Sequence, residues 1–299
     1  MALRSNFTDL FLADALPVLK EVVMEEYEKL PDNIPQCFRM LTMDGWGEQT
    51  TTIAGLKPVI SANEGENVTF DDPIQGFERT YIPVEYKLAT SFSQTLIEDN
   101  KLGLVEETYR SLGMAMYQTR QVTAFNIFND GFADTGPDGV SLFNTAHVLI
   151  GGGTYANRPA TDISLSIAGL REMEVDLMRQ VNHRNINIAL MPRKILVPPE
   201  LRQSGRELLG SPDKPDTANR AINAYYEEKY MLVVTPYLTS TTAWFAMTEP
   251  GQHQLRFYDR VTPEVESWQD KPSGDVNTKI RARFIVSYSD YIGTWGTTG

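Results

Sequence analysis

Residues 46–86 read WGEQTTTIAGLKPVISANEGENVTFDDPIQGFERTYIPVEY. β-formers alternate there with turn signals at Ala54-Gly55, Glu64-Gly65, Asp72-Pro73 and Gln75-Gly76. Large apolar residues are scattered, too few to cover both faces of a buried strand. The pattern predicts a long polar β-hairpin. An isolated two-stranded ribbon is marginal in water, so this one needs a surface to lie on. Either its own domain supplies that surface or a neighbouring subunit does. That choice separates an enzyme from a building block.

The bulk of the chain is ordinary globular material. Of its 299 residues, 41% are hydrophobic and 22% charged, enough to bury a sizeable core. The formal charge of −12 argues against a nucleic-acid binder, because such affinity comes largely from Lys and Arg neutralising phosphates. Double-stranded DNA near such a surface would be tolerated and not gripped. A single cysteine, Cys37, allows no internal disulfide. The start MALRSNFTDLF has no long apolar core, so no secretory signal is expected. No window reaches the ~18 apolar residues a membrane helix needs, so no membrane partner is expected. Synthesis and folding in a reducing cytoplasm fit these features.

A helix is expected over residues 7–30, capped by Ser5 or Asn6, with Leu10, Phe11, Ala15, Val18, Leu19 and Val22 as its apolar stripe. Its other face is acidic, either a solvated face or an arm packed on another subunit. Glu85–Ser93 alternates like a strand entering the core, and a short helix follows to about Asn100. Residues 103–130 carry the longest helical pattern, with Val105, Tyr109, Leu112 and Met116 on one face and Val122, Phe125 and Phe128 continuing it. Met114 and Met116 read as core. Residues 131–163 read as loop. A helix over 165–181, capped by Ser164, precedes two short apolar runs, INIALM and KILV. Residues 199–210 form a further helix, and 211–219 an exposed loop. Strands are expected at Tyr230–Val234, Ala243–Thr248, Leu255–Asp259, Val265–Gln269 and Thr278–Tyr288, followed by an exposed Gly/Thr-rich tail. Helices and strands are segregated, which predicts an α+β fold. The pattern splits into a body of 86–162 plus 251–299 and an insert of 163–250.

Nothing in the sequence assembles into an active site. His147, His183 and His253 lie far apart, and no H-E-x-x-H, P-loop or G-x-S-x-G stretch occurs. Ser141 and His147 could suggest a nucleophile and base, but no motif surrounds them. Gly151–Gly153 lacks the strand before it and the helix behind it that a phosphate loop requires. Paired acids such as Glu106-Glu107 point in different directions on a helix. No catalytic residue, metal ligand or cofactor is therefore expected, and the chain leans towards a structural role.

Four stretches, in order, resemble one family. They are ATSFSQTLIED (Ala89–Asp99) leading into a long helix; Gly139-Val140-Ser141-Leu142-Phe143 with Asn144 and His147; Ile195–Leu201; and Val233–Leu238 followed by Ala243-Trp244-Phe245. The chain resembles the major capsid proteins of tailed phages, and looks most like the major head subunits of Mu-like phages. The resemblance runs from about residue 5 to 295.

That resemblance implies an HK-97-like capsid fold. Residues 1–45 would be the N-terminal arm and 46–85 the extended loop. Residues 86–162 and 251–299 would be the peripheral domain with its long spine helix, and 163–250 the axial domain. It implies self-assembly into hexamers and pentamers of an icosahedral head enclosing double-stranded DNA, made in the bacterial host cytoplasm and ending in the virion. Met1 precedes the arm almost directly, so scaffold is expected to be a separate protein, alongside portal and decoration proteins. Trp46, Ile53, Val59, Ile60, Val68, Phe70 and Phe77 would anchor contacts with the neighbouring subunit. Lys57, Glu64, Glu66, Asp71, Asp72 and Arg79 would form the charged rim. An encapsulin-type compartment of the same fold is the alternative, and a soluble hydrolase using Ser141 and His147 a distant one.

Overall fold

Alternation carries most of the architecture. In the computed structural model, which describes residues 16–93, 95–96, 102–213, 222–228, 230–270 and 272–299, the longest strands are β10 (Leu255–Gln269) and β11 (Val276–Tyr288). Val276, Thr278, Ile280, Ala282 and Phe284 of β11 are buried, every second residue, as a sheet with one face on a core requires. These strands form a four-stranded sheet, β1-β10-β11-β4, with β1 at Arg39–Thr42 and β4 at Val84–Phe92. Only the β1–β10 pairing is parallel. Two strands expected at 255–259 and 265–269 are one. Register shifts between Asp259 and Glu264 bend it, and Pro263 sits in that bulge, where its missing N–H costs no ladder bond.

The long helix Leu102–Asn129 spans roughly 40 Å at 1.5 Å per residue and lies on this sheet. Val105, Tyr109, Leu112, Met116, Phe125 and Phe128 are buried along it, as their spacing predicts. Val122 and Met114, expected inside, are exposed, because they fall off that stripe. Ring stacking of Phe92 on Tyr109 (5.7 Å) and of Phe257 on Phe284 (5.3 Å) fills the seam. Arg120 reaches from the helix to Asp259 of β10 with two bonds of 2.6 and 3.0 Å. Its guanidinium lies over the Phe257 ring at 4.7 Å, so the buried charge is both paired and stacked.

We label the helices α1 (Leu16–Lys29), α2 (Ile34–Cys37), α3 (Leu102–Asn129), α4 (Ile167–Met178), α5 (Arg202–Gly210) and α6 (Ala224–Glu228). The N-terminal part of the helix expected at 7–30, with its Ser5 or Asn6 cap, lies outside the described residues. The same holds for most of the short helix expected after Ser93, of which Thr95 and Leu96 are helical, and for most of the 211–219 loop. Helix α1 crosses α3 where Gly113 has no side chain; a Cβ there would stand 2.4 Å from the Val23 carbonyl oxygen. Cys37 is fully buried, and burial pushes its thiol up to about 12, which leaves it inert at neutral pH.

A second sheet, β12-β9-β7-β8, comprises β7 (Lys194–Val197), β8 (Met231–Val234), β9 (Trp244–Met247) and β12 (Thr294–Thr297). It is covered on both faces, which explains its unbroken apolar runs. Leu196, Val233, Phe245 and Met247 join the core of the first sheet. Ile195, Val197, Trp244, Ala246 and Trp295 face α4 in a second core. Helix α4 is capped by Ser166, not Ser164: Ser166 is extended and accepts from the Gly169 N–H at 3.1 Å. The INIALM run forms no strand of a sheet. The backbone turns just before it at Asn185 and within it at Ala189, both at positive φ (60° and 49°), a conformation strands do not hold.

The C-terminal tail, expected to be exposed, is a buried strand. Trp295 is 0% exposed, packs on Trp244 at 4.8 Å, and donates its indole N–H to Asp176 at 2.9 Å. Gly296 lies where a Cβ would meet the Phe143 and Phe245 rings at 2.8 Å. Asp162 accepts from the Thr297 hydroxyl (3.2 Å), the Thr298 N–H (3.4 Å) and Arg158 (2.8 Å). The tail's small residues are therefore those that fit between aromatic rings. Elsewhere β2 (Glu48–Ala54) pairs with β3 (Ile74–Tyr81), and β5 (His147–Val148) with β6 (Thr154–Tyr155). Among the described residues no helix is long and apolar enough to cross a membrane.

Two outcomes follow from this packing. Gly113→Ala should destabilise the chain by about 1–3 kcal/mol, whereas Gly103→Ala, on an open face of α3, should stabilise it by about 0.5–1 kcal/mol; denaturant titration of both measures the contrast. Although burial opposes it, bonding from Arg158 and Thr298 lowers the Asp162 carboxyl to about 2 in the folded chain. A depressed carboxylate stabilises above its unfolded value and loses that contribution as the folded group takes up its proton. Docking of β12 should therefore weaken as pH falls from about 4 towards 2, seen as a rise in Trp295 solvent exposure by fluorescence quenching that Asp162→Asn abolishes.

Candidate assembly interface

The hairpin pattern is realised as a short ladder with a long unpaired tip. Glu48 pairs with Tyr81 at its base and Ala54 with Ile74 at its far end, with one irregularity between Thr51 and Ile53. Residues 55–73 form no helix or strand. Pro58 and Pro73 each lack the N–H a ladder would use, and Gly65 turns the tip at φ 85°.

The root of the ribbon is fixed to the chain's own body. Thr52 donates its hydroxyl to the Ser289 carbonyl at 2.9 Å, and the Tyr81 hydroxyl donates to the Tyr288 carbonyl. Arg79 donates to the Thr135 carbonyl at 2.7 Å. Gly76 lies directly against Ile150. Phe77 is half-buried with its ring edge-on to His183 at 6.1 Å. Arg184 closes the attachment: one guanidinium nitrogen lies 3.2 Å from the Asp71 carboxylate and another donates to the Asp72 carbonyl at 2.5 Å. Asp71 also accepts the Lys57 backbone N–H at 2.9 Å and pairs with its ammonium at 3.5 Å. The Lys57 N–H, then Arg184 and the Lys57 charge, hold the Asp71 carboxyl below the usual carboxylate range.

Beyond that clamp the apolar residues stand exposed. Val59 is 100% exposed, Phe70 92% and Val68 78%. Ile60, Ile53 and Leu56 are also exposed. Glu64 flanks the tip turn, and Glu66 accepts the Asn63 N–H at 2.8 Å. Of the expected contact residues, the ribbon thus brings Ile53, Val59, Ile60, Val68, Phe70, Glu64 and Glu66 together on an open arm. Lys57, Asp71, Asp72, Phe77 and Arg79 sit at the attachment instead, engaged within the chain. Trp46 is exposed but precedes the ribbon, between β1 and β2. Thr52, Tyr81 and Arg184 were not legible as attachment points, because their partners lie more than a hundred residues away in sequence.

The Ser141 and His147 pair does not form a nucleophile and base. The Ser141 hydroxyl donates to the Phe143 carbonyl (3.2 Å) and accepts from Asn144 (3.1 Å). The His147 ring nitrogens are taken by Asp138 (2.6 Å) and Asn157 (2.9 Å), and its face stacks on Tyr291 at 4.0 Å. It is a satisfied core histidine. Among the described residues no group of three or more His, Cys, Asp or Glu could hold a metal ion.

A family model described as "Phage capsid protein" matches residues 77–295. The chain belongs to the phage capsid protein family, and as a member it is a major capsid protein with the HK-97-like fold. No curated protein matches the sequence. Among solved structures the fold is similar to the virus-like particle of Pyrococcus furiosus (9% identity, TM-score 0.57, 95% of this chain and 99% of that one). It is also similar to the capsid of an empty GTA particle (14%, 0.58, 89% of each) and to the procapsid of bacteriophage JBD30 (13%, 0.51, 95% and 75%). The family match begins inside β3, so it leaves β2 and the tip of the ribbon uncovered.

Removing the clamp should free the arm without unfolding the body. In Arg184→Ala, hydrogen exchange at residues 52–54 and 74–77 should accelerate while exchange in β10 and β11 stays unchanged.

Proposed function

We propose that this capsid subunit closes into an icosahedral head of hexamers and pentamers around double-stranded DNA, with residues 46–85 acting as the extended loop that a neighbouring copy receives. The observation that carries this is the tip itself: a cluster of apolar side chains held out in water by a root that is bonded to the body. Exposed contiguous apolar surface of this kind marks interaction sites. Repeated heterologous contacts between identical subunits close rings when the rotation permits. Val59, Ile60, Val68 and Phe70, with Ile53 and Trp46, supply the aliphatic and aromatic anchors that dominate interface energy. Glu64 and Glu66 lie at the rim and steer the approach.

The rest of the chain falls into the roles the family suggests. Residues 1–45 form the arm, 86–162 and 251–299 the peripheral domain with α3 as its spine, and 163–250 the axial domain. Strand β12 pairs with β9, so the last strand of the peripheral segment completes the axial sheet and ties the two domains together. The net charge of −12 suits a wall that packs DNA without gripping it. Scaffold, portal and decoration proteins would be separate chains, the subunit would be made in the host cytoplasm, and it would act without catalysis. The likeness to Mu-like head subunits rests on the four sequence stretches. An encapsulin-type compartment is the second reading, favoured by the similarity to a virus-like particle. Nucleic acid in purified particles supports the first, and packaged enzyme supports the second.

Replacing residues 59–70 by a short Gly-Ser turn keeps the ladder and the Lys57–Asp71–Arg184 clamp but removes the tip. The variant should fold, with an unchanged thermal transition, and should sediment as free subunits or small oligomers. Closed shells at normal yield would overturn the role given to the loop.

A further inference from the structure

Strand β8 is the outer edge of the second sheet. The Met231 N–H donates to Arg193 and the Thr235 N–H to Val197, at 2.8 and 3.2 Å. Odd-numbered residues therefore face β7, and Leu232 and Val234 turn their N–H and C=O groups outward. Of these, the Val234 carbonyl is taken by Asn33 at 3.2 Å. The edge opens into a cleft of about 510 Å³ between α2 and α5, lined by Asn33, Gln36, Arg202 and Arg206 besides β8 itself. Arg202 and Arg206 are exposed on the same face of α5, one turn apart, and make no ion pair among the described residues. Strand β8 is short, four residues, but carries no Pro, no Lys and no bulge to block a further strand.

The hairpin tip has the complementary properties. Beyond the clamp, residues 58–70 carry two acids, Glu64 and Glu66, and no Lys or Arg. In Glu66-Asn67-Val68-Thr69-Phe70 the alternation places Glu66, Val68 and Phe70 on one side of an extended chain. No backbone hydrogen bond among the described residues engages positions 67–70.

We propose that residues 66–70 of one copy add as a strand to β8 of a second copy, with Glu64 and Glu66 meeting Arg202 and Arg206. This rests on the assembly reading above and names the surface that receives the loop. Main-chain bonds from both backbone groups of Leu232 and from the Val234 N–H give the contact its strength, and the two arginines fix its register.

Two measurements test it in whole particles. First, a Val68→Cys chain and a Met231→Cys chain are mixed, assembled and oxidised; Cys37 is buried and does not compete. A disulfide-linked heterodimer is expected, with neither single variant giving one alone. Second, Arg202→Glu with Arg206→Glu should cut shell yield by at least about tenfold, and adding Glu64→Arg with Glu66→Arg should restore it, which a misfolded double variant would not allow. Wild-type shells without the heterodimer, and with yield indifferent to the charge reversal, would overturn this contact while leaving assembly intact. Cross-linking of Met231→Cys to a cysteine placed among residues 1–15 instead would assign the edge to the arm and also overturn it. Failure of the wild-type chain to form any shell would overturn both readings.

Discussion

Val59, Val68 and Phe70 lie in water at the end of a ribbon whose root is bonded to the body through Thr52, Tyr81 and Arg184. A two-stranded ribbon has one layer and cannot cover its own apolar side chains. The attachment makes collapse back onto the body costly, since each root bond would have to break. The subunit therefore carries an exposed apolar surface at the end of its ribbon, which on the proposed reading a neighbouring copy buries. Its clamp is electrostatic and its tip hydrophobic; the first orders the arm in the free subunit, and on the proposed reading the second is satisfied on assembly.

Projecting such an arm requires a body that does not yield. The rigidity comes from two sheets sharing one core. Phe245 and Met247 of β9 face the spine-helix core while Trp244 and Ala246 face α4, so a four-residue strand is locked from both sides. The last strand, β12, runs back to β9 and is held by Asp162 and Asp176. Below the first sheet, the Arg120–Asp259 pair and the close crossing of α1 at Gly113 fasten the helix that spans the body. Interiors packed this densely transmit load instead of deforming.

Much of this was written in local pattern. The spine helix was legible because Val105, Tyr109, Leu112 and Met116 repeat at helical spacing, and β11 because its alternation is nearly unbroken. The ribbon was legible from its turn signals. What failed were features set by distant contacts. The C-terminal Gly/Thr tail carries an exposed composition, yet Trp295 and Gly296 fit a slot made by Trp244, Phe143 and Phe245. The single strand β10 looked like two because Pro263 and a bulge interrupt its alternation. The root contacts of Phe77 and Arg79 were not legible either, because His183 and Thr135 arrive there from far along the chain.

The most direct measurement is the accessibility of position 68 in two states. A Val68→Cys chain is labelled with a maleimide as free subunit and as purified particle, with an exposed position away from the arm, such as Arg171→Cys, as reference. Fast labelling of the subunit and strong protection in the particle, with the reference unchanged, is the predicted result. Equal labelling of position 68 in both states would mean that the tip stays in solvent after assembly, and would contradict the account.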